Sequence, residues 1–269
     1  MHASFVDRYG PSALVAGASE GLGAAWAEAL ARRGLQLVLV ARRAAPLEGL
    51  AARLRADHGV GVTALALDLG SDADLDRLFA ATAAMEIGLL VHNAAASPIG
   101  CFLDVSLEDH RRVLAVNCQA AALLVHHYGR AMAGRRRGGI ILMSSMSGLQ
   151  GTAMVAHYAA SKSYLRVLAE GLGNELRPLG VDVLAPLAGP IRTPGYLTSA
   201  PAPSLLTPTP CEPAAVVAES LAALGRGATC VPGSRDRVLA LVLERVLPRG
   251  VAVDLISAVT RRMYRRGVG

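Results

Sequence analysis

Short apolar segments alternate with helix-forming segments along most of the chain. The apolar segments predict strands at ALVA (13–16), LVLV (37–40), TALAL (63–67), LLVH (89–92), IILM (140–143), VDVLA (181–185) and ATCVP (228–232). Ala, Leu and Arg recur with a helical period over 22–33, 46–57, 72–85, 107–133, 153–177 and 213–224. Continuous apolar strands that alternate with helices are typical of a parallel sheet covered on both faces. The sequence therefore predicts an α/β fold with a doubly wound parallel sheet of about seven strands.

The composition fits one domain with a large core. The chain has 269 residues, of which 52% are hydrophobic, and no internal linker or repeat is evident, so we predict a single domain over 1–269. No apolar run is long enough to span a membrane, and the first residues do not have the pattern of a secretory signal. The four cysteines are scattered and the histidines show no ligand spacing. We therefore expect a cytoplasmic protein with reduced thiols and no metal site.

The net charge of +6 raises the question of a polyanionic partner. The arginines cluster in GRRRGG (134–139) and RRMYRR (261–266), and neither segment has the aromatic interleaving of a single-strand binder. Solvated loops explain this charge better than nucleic-acid binding. The segment 234–266 predicts a C-terminal helical extension that packs on another subunit or on the lid, with contact to a membrane surface as the weaker alternative.

A proline-rich segment interrupts the alternation after the sixth predicted strand. It covers about 190–213 and should contain neither a regular helix nor a central strand. Open α/β sheets bind ligands at the carboxyl ends of their strands. We therefore predict that this segment is a substrate lid, with Tyr196, Leu197, Leu205 and Leu206 as its apolar side chains.

A glycine-rich turn follows the first predicted strand. Gly17, Gly21 and Gly23 stand in AGASEGLGAAW, where the strand should pass into the first helix. Glycine permits a tight turn, close approach of the backbone to a pyrophosphate, and a helix that begins near the sheet. The turn therefore predicts a dinucleotide site.

The end of the second strand indicates which dinucleotide this is. An NAD site usually has an acidic residue there that holds the ribose hydroxyls. This chain has Ala41 followed by Arg42 and Arg43, and guanidinium groups suit a 2′-phosphate. We therefore expect NADP(H) to be preferred over NAD(H). Glu20 in the glycine turn could face the same phosphate and weaken this preference.

Lys162 is the only lysine in the chain, and it follows Tyr158 by one helical turn. An ammonium group near a phenol stabilises the phenolate and lowers its pKa, and a compact ammonium can also bind ribose hydroxyls. Ser145 precedes Tyr158 by 13 residues at the end of the fifth predicted strand. Asn93 and Asp68 follow two other strands, and Asn117 lies inside a predicted helix.

This ordered set of motifs closely resembles the short-chain dehydrogenase/reductase family over roughly residues 10–233. The resemblance implies a Rossmann-like fold and a catalytic set in which Ser145 orients a carbonyl, Tyr158 donates the proton, Lys162 binds the nicotinamide ribose and Asn117 holds a relay water. It implies that Asp68 contacts the adenine and that Ser19 lies near the adenosine phosphate. The full expected cofactor set is Gly17, Ser19, Glu20, Gly21, Leu22, Gly23, Arg42, Arg43, Asp68, Leu69, Asn93, Ala94, Tyr158, Lys162, Gly189, Ile191 and Thr193.

The sequence departs from the family pattern at several loop positions. Ala16 replaces a threonine, HNAA replaces NNAG after the fourth strand, and Ala188 replaces a proline before Gly189. Ser144 is an alternative to Ser145, although the spacing to Tyr158 favours Ser145. None of these changes removes a catalytic group.

The resemblance predicts an NADP(H)-dependent oxidoreductase of an apolar ketone or secondary alcohol, such as a steroid or a fatty-acyl or polyketide derivative. A non-catalytic NADP-binding regulator on the same fold is the alternative. The long helices 107–133 and 153–177 are apolar and rich in small residues, and the family uses them for subunit contacts, so we expect a homodimer or homotetramer.

Overall fold

The computed structural model describes residues 4–199 and 209–264, and its strands form one parallel sheet. The strands are β1 (Ser12–Ala16), β2 (Gln36–Ala41), β3 (Val62–Ala66), β4 (Ile87–His92), β5 (Gly138–Leu142), β6 (Ser144–Ser145), β7 (Val181–Ala188) and β8 (Thr229–Cys230). Their order is β3-β2-β1-β4-β5-β7, with β8 beside β7 and the short β6 paired to the end of β7. The predicted α/β fold with a parallel sheet is confirmed.

Helices cover both faces of this sheet. They are α1 (Phe5–Tyr9), α2 (Gly21–Ala31), α3 (Ala44–His58), α4 (Asp72–Thr82), α5 (Leu107–Val113), α6 (Ala120–Arg135), α7 (Ala156–Leu176), α8 (Pro194–Thr198), α9 (Pro213–Ala223), α10 (Ser234–Leu241) and α11 (Arg249–Tyr264). Strand β1 shows how the two layers arise. Ala13 and Val15 belong to the apolar cluster that includes α2, α3 and α9, whereas Leu14 and Ala16 belong to the cluster that includes α4, α6 and α7. Because successive side chains of a strand point to opposite faces, a continuous apolar strand needs helices on both sides.

The strand order reverses direction between β1 and β4, and this reversal places the site. From β1 the chain builds outward to β2 and β3, and it then returns to the other side of β1 with β4. The connections after β1 and β4 therefore diverge at the carboxyl edge and leave a crevice between them, where open sheets of this kind bind ligands. All strands are parallel, so the other predicted site residues that follow strands reach the same edge.

The long helix predicted over 107–133 contains a wide turn. Helices α5 and α6 are continuous through a π-helical segment, Leu114–Gln119, which includes Asn117. A π turn inserts an extra residue into a helix and is often found at functional sites. The hydrophobic period of the sequence gave no sign of this turn.

The described part of the proline-rich segment contains a short helix, which the sequence did not predict. Thr193 caps α8 through a hydrogen bond from the backbone N–H of Tyr196, and Pro194 occupies the first helical position, where its missing N–H costs nothing. Ile191 forms an isolated parallel bridge with Cys211 and brings the ends of the segment together. Leu205 and Leu206 lie outside the described residues.

The C-terminal extension packs on its own chain. It consists of α10, a π-helical segment Val242–Val246, and α11. Its side chains form a separate apolar cluster with residues of the loop after β6 and of β7, in which Leu243 and Ala252 pack with Leu149 and Leu187. These buried side chains pack within the chain, and packing of the extension on another subunit stays a prediction. The assignment of the whole chain to one domain stays a prediction that this packing supports.

The described residues contain no helix that is long and apolar enough to cross a membrane. They also contain no cluster of His, Cys, Asp and Glu with the geometry to hold a metal ion.

Candidate active site

The glycine turn after β1 allows the first helix to begin very close to the sheet. A Cβ atom at Gly23 would lie 1.8 Å from the carbonyl oxygen of Gly17, and one at Gly17 would lie 2.7 Å from the backbone of Ala94. Gly17 also has a φ of +83°, which only glycine adopts readily. The Asn93 side chain donates a hydrogen bond of 2.9 Å to the Gly17 carbonyl and fixes the turn to the end of β4. These contacts require glycine at both positions.

A cavity of about 370 Å³ opens above this turn, at the carboxyl ends of β1 to β4. It lies at the amino terminus of α2, where backbone N–H groups favour an anion such as a pyrophosphate. Most of the predicted cofactor residues line it. They are Gly17, Ser19, Glu20, Gly21, Leu22, Arg42, Arg43, Asp68, Leu69, Asn93, Ala94 and Thr193. Gly23 supports the turn from below, and the shape and donor set of this cavity suit a dinucleotide.

Two ion pairs set the charge of this cavity. Arg43 contacts Glu20 at 2.6 Å, so the acid of the glycine turn is paired with one of the two arginines after β2. Arg112 of α5 binds both carboxylate oxygens of Asp68, at 2.9 and 3.1 Å. Burial raises the pKa of Asp68, but Arg112 and the Gly70 N–H outweigh this effect and lower it. The sequence did not predict Arg112, because nothing in a helical Arg-Arg pair indicates which arginine turns toward a strand end.

Asp68 retains one free position for a hydrogen-bond donor. Among the described residues, its Oδ1 atom accepts from Arg112 and from the Gly70 N–H, and its Oδ2 atom accepts from Arg112 alone. Each carboxylate oxygen can accept about two hydrogen bonds. The free lone pair on Oδ2 could therefore accept from an amino group such as that of adenine.

A second and larger cavity, of about 690 Å³, adjoins the first. Thr193 and Gly195 line both cavities. The predicted residues Ser145, Tyr158, Gly189 and Ile191 all line the second one. Its volume is within the range of sites for drug-sized ligands, and most of its wall is apolar. The serine and tyrosine of the sequence motif therefore face a substrate-sized space beside the dinucleotide cavity.

The two adjacent serines have different surroundings. Ser144 is buried, and its hydroxyl donates a hydrogen bond of 2.7 Å to the Lys162 carbonyl. Ser145 is half-buried and lines the second cavity with Tyr158. This arrangement supports Ser145, the residue that the spacing favoured.

Lys162 is buried beneath the cavities, and its ammonium group donates a hydrogen bond of 2.7 Å to the Met143 carbonyl. Its Nζ atom lies 5.4 Å from the centre of the Tyr158 ring. Burial lowers the pKa of Lys162 to about 8. Burial also raises the pKa of Tyr158 to about 12, and the hydrogen bond with Ser145 opposes that rise.

The raised pKa of Tyr158 differs from the lowered value that the sequence predicted. The physical reason is that desolvation of the phenolate dominates, while the ammonium group is directed at the Met143 carbonyl. Tyr158 is therefore a neutral phenol at neutral pH, which is the form that can donate a proton.

Asn117 connects three parts of the site. Its side chain accepts a hydrogen bond from the Ala96 N–H at 2.7 Å and donates to the Ala96 carbonyl at 2.9 Å. It also donates to the Ser161 hydroxyl at 2.9 Å. The π turn thereby fastens the loop after β4 to the helix that carries Tyr158 and Lys162. The relay water expected at Asn117 stays a prediction.

His92, the first residue of HNAA, is fully buried at the end of β4. Burial and the positive charge of Lys162 lower its pKa to about 3, so the ring is neutral. A protonated imidazole at this place would be costly because it would stand beside a buried ammonium group.

The C-terminal extension forms one wall of the second cavity. Its lining residues are Asp236, Leu239, Leu243, Ile256, Val259, Thr260, Met263 and Tyr264. The Thr260 hydroxyl bonds the Thr152 hydroxyl at 3.1 Å, and the Ser257 hydroxyl accepts from the Ala153 N–H at 3.1 Å. The sequence missed this wall because the family motifs end before it. From the proline-rich segment, Tyr196 lines the cavity, whereas Leu197 is exposed.

Comparison with known proteins identifies similar chains. The family model for short chain dehydrogenase matches residues 11–200. The 7beta-hydroxysteroid dehydrogenase of Clostridium sardiniense is 31% identical over 234 residues, which cover 87% of this chain and 90% of that protein. A structure from work on 7beta-hydroxysteroid dehydrogenase stereoselectivity has a TM-score of 0.89 at 26% identity, and the match covers 94% of this chain and 99% of the other. A short-chain dehydrogenase from Sphingobium yanoikuyae, solved with NADPH, has a TM-score of 0.78 at 33% identity, covering 86% and 91%.

The buried ammonium group predicts a pH dependence of stability. Lys162 has a pKa of about 8 in the folded protein against 10.5 when unperturbed, so between these values the unfolded chain binds more protons and stability rises with pH. We expect the unfolding free energy of the wild type, relative to Lys162→Met, to increase by about 2 kcal/mol from pH 8 to pH 10. Urea denaturation at several pH values measures this difference. A flat difference would contradict the lowered pKa of the buried Lys162 ammonium group, and Tyr158→Phe should leave the rise intact.

Proposed function

The chain belongs to the short-chain dehydrogenase/reductase family and is an oxidoreductase that acts on CH–OH and C=O groups. From this premise we propose that it interconverts an apolar ketone and its secondary alcohol with NADP(H). The observation that carries this proposal is the placement of Ser145 and Tyr158 in an apolar cavity that adjoins the glycine-turn cavity. The relative named above is a dehydrogenase, which favours an enzyme over a non-catalytic regulator.

The proposed reaction uses the side chains at the junction of the two cavities. A nicotinamide held by the walls of the first cavity would supply a hydride to the carbonyl carbon or, in the reverse direction, accept one from the alcohol carbon. In the reducing direction Tyr158 donates its phenolic proton to the carbonyl oxygen, and Ser145 donates a hydrogen bond to the same oxygen. Hydride on carbon and proton on oxygen together give the alcohol. The raised pKa of Tyr158 keeps that proton in place at neutral pH.

Lys162 and Asn117 support this chemistry from beneath the cavity floor. We propose that the Lys162 ammonium group binds the nicotinamide ribose and that its charge stabilises the tyrosinate formed after proton transfer. The Met143 carbonyl holds the ammonium group in position. Asn117 fixes the loop after β4 against α7 and so fixes the relative positions of Lys162 and the cofactor site.

The residues that line the first cavity support the proposal that the dinucleotide binds there. We propose that the pyrophosphate lies at the amino terminus of α2 near Ser19, that the free lone pair of Asp68 binds the adenine amino group, and that Asn93 and Ala94 line its path. Gly189, Ile191 and Thr193 would contact the nicotinamide end, since they line the second cavity.

A preference for NADP(H) is proposed from the arginines after β2. Arg43 is paired with Glu20, whereas Arg42 forms no direct ion pair within the described ranges and acts on Asp68 only through its charge, which helps to lower the pKa of that carboxyl. Arg42 is therefore the better candidate to bind a 2′-phosphate, and Glu20 weakens the contribution of Arg43. The NADPH complex of a similar short-chain dehydrogenase supports the same cofactor.

The substrate is proposed to be a bulky apolar molecule. The second cavity is walled by apolar side chains from the C-terminal extension, together with Met146 and Ile191. A steroid-like ketone fits this wall and agrees with the name of the relative. A fatty-acyl or polyketide derivative is the other class that the sequence indicates.

The chain is also proposed to form a homo-oligomer. Leu107, Leu114 and Leu123 are exposed on one long helix, and Tyr164 and Val167 are exposed on α7. An exposed set of large apolar side chains marks a surface that gains free energy when a second copy covers it. Light scattering should therefore give a mass that is a multiple of 27.8 kDa. The mass of a single chain at working concentration would contradict this proposal.

Tyr158→Phe tests the proposed proton donor. The variant keeps the ring but lacks the hydroxyl, so we expect kcat with NADPH and a ketone to fall at least about 100-fold, while cofactor affinity changes little. Tyr164→Phe is the matched control, because Tyr164 lies on the same helix and is 40% exposed. Steady-state kinetics and cofactor titration measure both effects. Activity within tenfold of the wild type would refute the assignment.

Arg42→Ala tests the cofactor preference. Loss of a charged hydrogen bond to a phosphate costs about 1.5–3 kcal/mol, so we expect kcat/KM for NADPH to fall about 10- to 100-fold and that for NADH to change less than threefold. Equal kcat/KM values for the two cofactors in the wild type would contradict the preference.

A substitution of Glu20 tests whether this acid weakens the preference for NADPH. Glu20→Gln removes the negative charge and releases Arg43, so kcat/KM for NADPH should rise while that for NADH stays constant. The double variant Glu20→Gln, Arg43→Ala should lack this gain if Arg43 is the group that is released.

A further inference from the structure

The second cavity contains a polar group that the proposed reaction does not use. Gln150 lies five residues after Ser145 in the loop that leads to α7, lines the cavity, and has a relative exposure of 6%. Its Oε1 atom is buried and has no hydrogen-bond partner within residues 4–199 and 209–264. The surrounding wall is mostly apolar, with Met146, Leu243 and Ile256 among its side chains.

The unpaired Oε1 atom of Gln150, in an apolar wall, needs an explanation. A buried polar group without a partner is costly, and an apolar side chain of similar size would avoid that cost. The loop around Gln150 is fixed, because Thr152 and Ala153 are hydrogen-bonded to α11. The loop therefore holds Gln150 in a defined place while its Oε1 atom has no partner in the described part of the chain, as expected for a group whose partner arrives with a ligand.

The chemistry of the unpaired atom indicates what that ligand carries. Asp236 lines the same cavity, but the Gly189 N–H acts on its carboxyl and burial raises its pKa, so it does not add a second unpaired acceptor. The Gln150 Oε1 atom is a hydrogen-bond acceptor, so its missing partner is a donor. A hydroxyl group can donate, whereas the carbonyl of a thioester or an ester can only accept. The cavity thus favours an apolar frame with a hydroxyl group over a plain acyl thioester.

We propose that Gln150 is a specificity-determining residue that accepts a hydrogen bond from a hydroxyl group on the substrate, separate from the carbonyl that is reduced. The terminal torsion of a glutamine side chain is broad, so the amide can turn its oxygen toward a donor in the cavity. This inference rests on the proposed function and narrows its substrate class to hydroxylated polycyclic ketones and the corresponding diols.

The test compares steroid ketones that carry one additional hydroxyl group with their deoxy counterparts. With NADPH, the wild type should show a kcat/KM at least about tenfold higher for the hydroxylated member of at least one pair. Gln150→Leu should lower kcat/KM for that member about tenfold and change the deoxy member less than twofold. Gln150→Glu retains an acceptor oxygen and should retain the preference.

Stability measurements separate recognition from a structural role. Because Gln150→Leu removes an unpaired buried amide, its Tm should equal that of the wild type or exceed it by about 2 °C. A lower Tm together with equal losses for both members of every pair would overturn the inference, as would a wild type that does not distinguish the members of any pair. A wild type that turns over no ketone with NADPH would instead refute the proposed function itself.

Discussion

The site is organised around one hydrogen bond, which the Lys162 ammonium group donates to the Met143 carbonyl. Burying an ammonium group costs several kcal/mol unless polar groups surround it. The Met143 carbonyl offsets part of this cost, and its residue is itself fixed in place. The Met143 N–H donates to the His92 carbonyl and ties the end of β5 to the end of β4. Ser144 then bonds the Lys162 carbonyl from the next position. Two strand ends and α7 are thus held together around one charge.

The sequence predicted the sheet and most of the site because both depend on regular patterns. Continuous apolar strands fix a parallel sheet, and parallel strands bring residues such as Asp68, Asn93 and Ser145 to one edge whatever lies between them. Gly17 and Gly23 predicted a dinucleotide turn because only a residue without a Cβ atom lets the backbone lie so close to its neighbours at these positions. These inferences needed only periodicity and the chemistry of residues at strand ends.

The features that were missed depend on distant contacts or on solvation. The π turn around Asn117 depends on how one helix packs, Arg112 finds Asp68 across the sheet edge, and Gln150 is unusual only because its surroundings are apolar. The pKa of Tyr158 was predicted in the wrong direction, because helical spacing shows that an ammonium group is near but does not show how dry the phenol is. Each of these features depends on distances and burial in the folded protein, which the local sequence does not determine.

In the part of the chain that the structure describes, the C-terminal extension contributes side chains to one of the two cavities and not to the other. It adds no strand to the sheet, and within the described residues none of its side chains lines the dinucleotide cavity, yet it supplies one wall of the substrate cavity. A mutation on the cavity face of α11 therefore changes one wall of the second cavity, whereas the hydrogen bonds of Lys162 and Ser144 lie among residues outside the extension. A designer who wishes to change which molecules the enzyme accepts would begin with this face and would leave Ser257 and Thr260, which hold the loop before α7, in place.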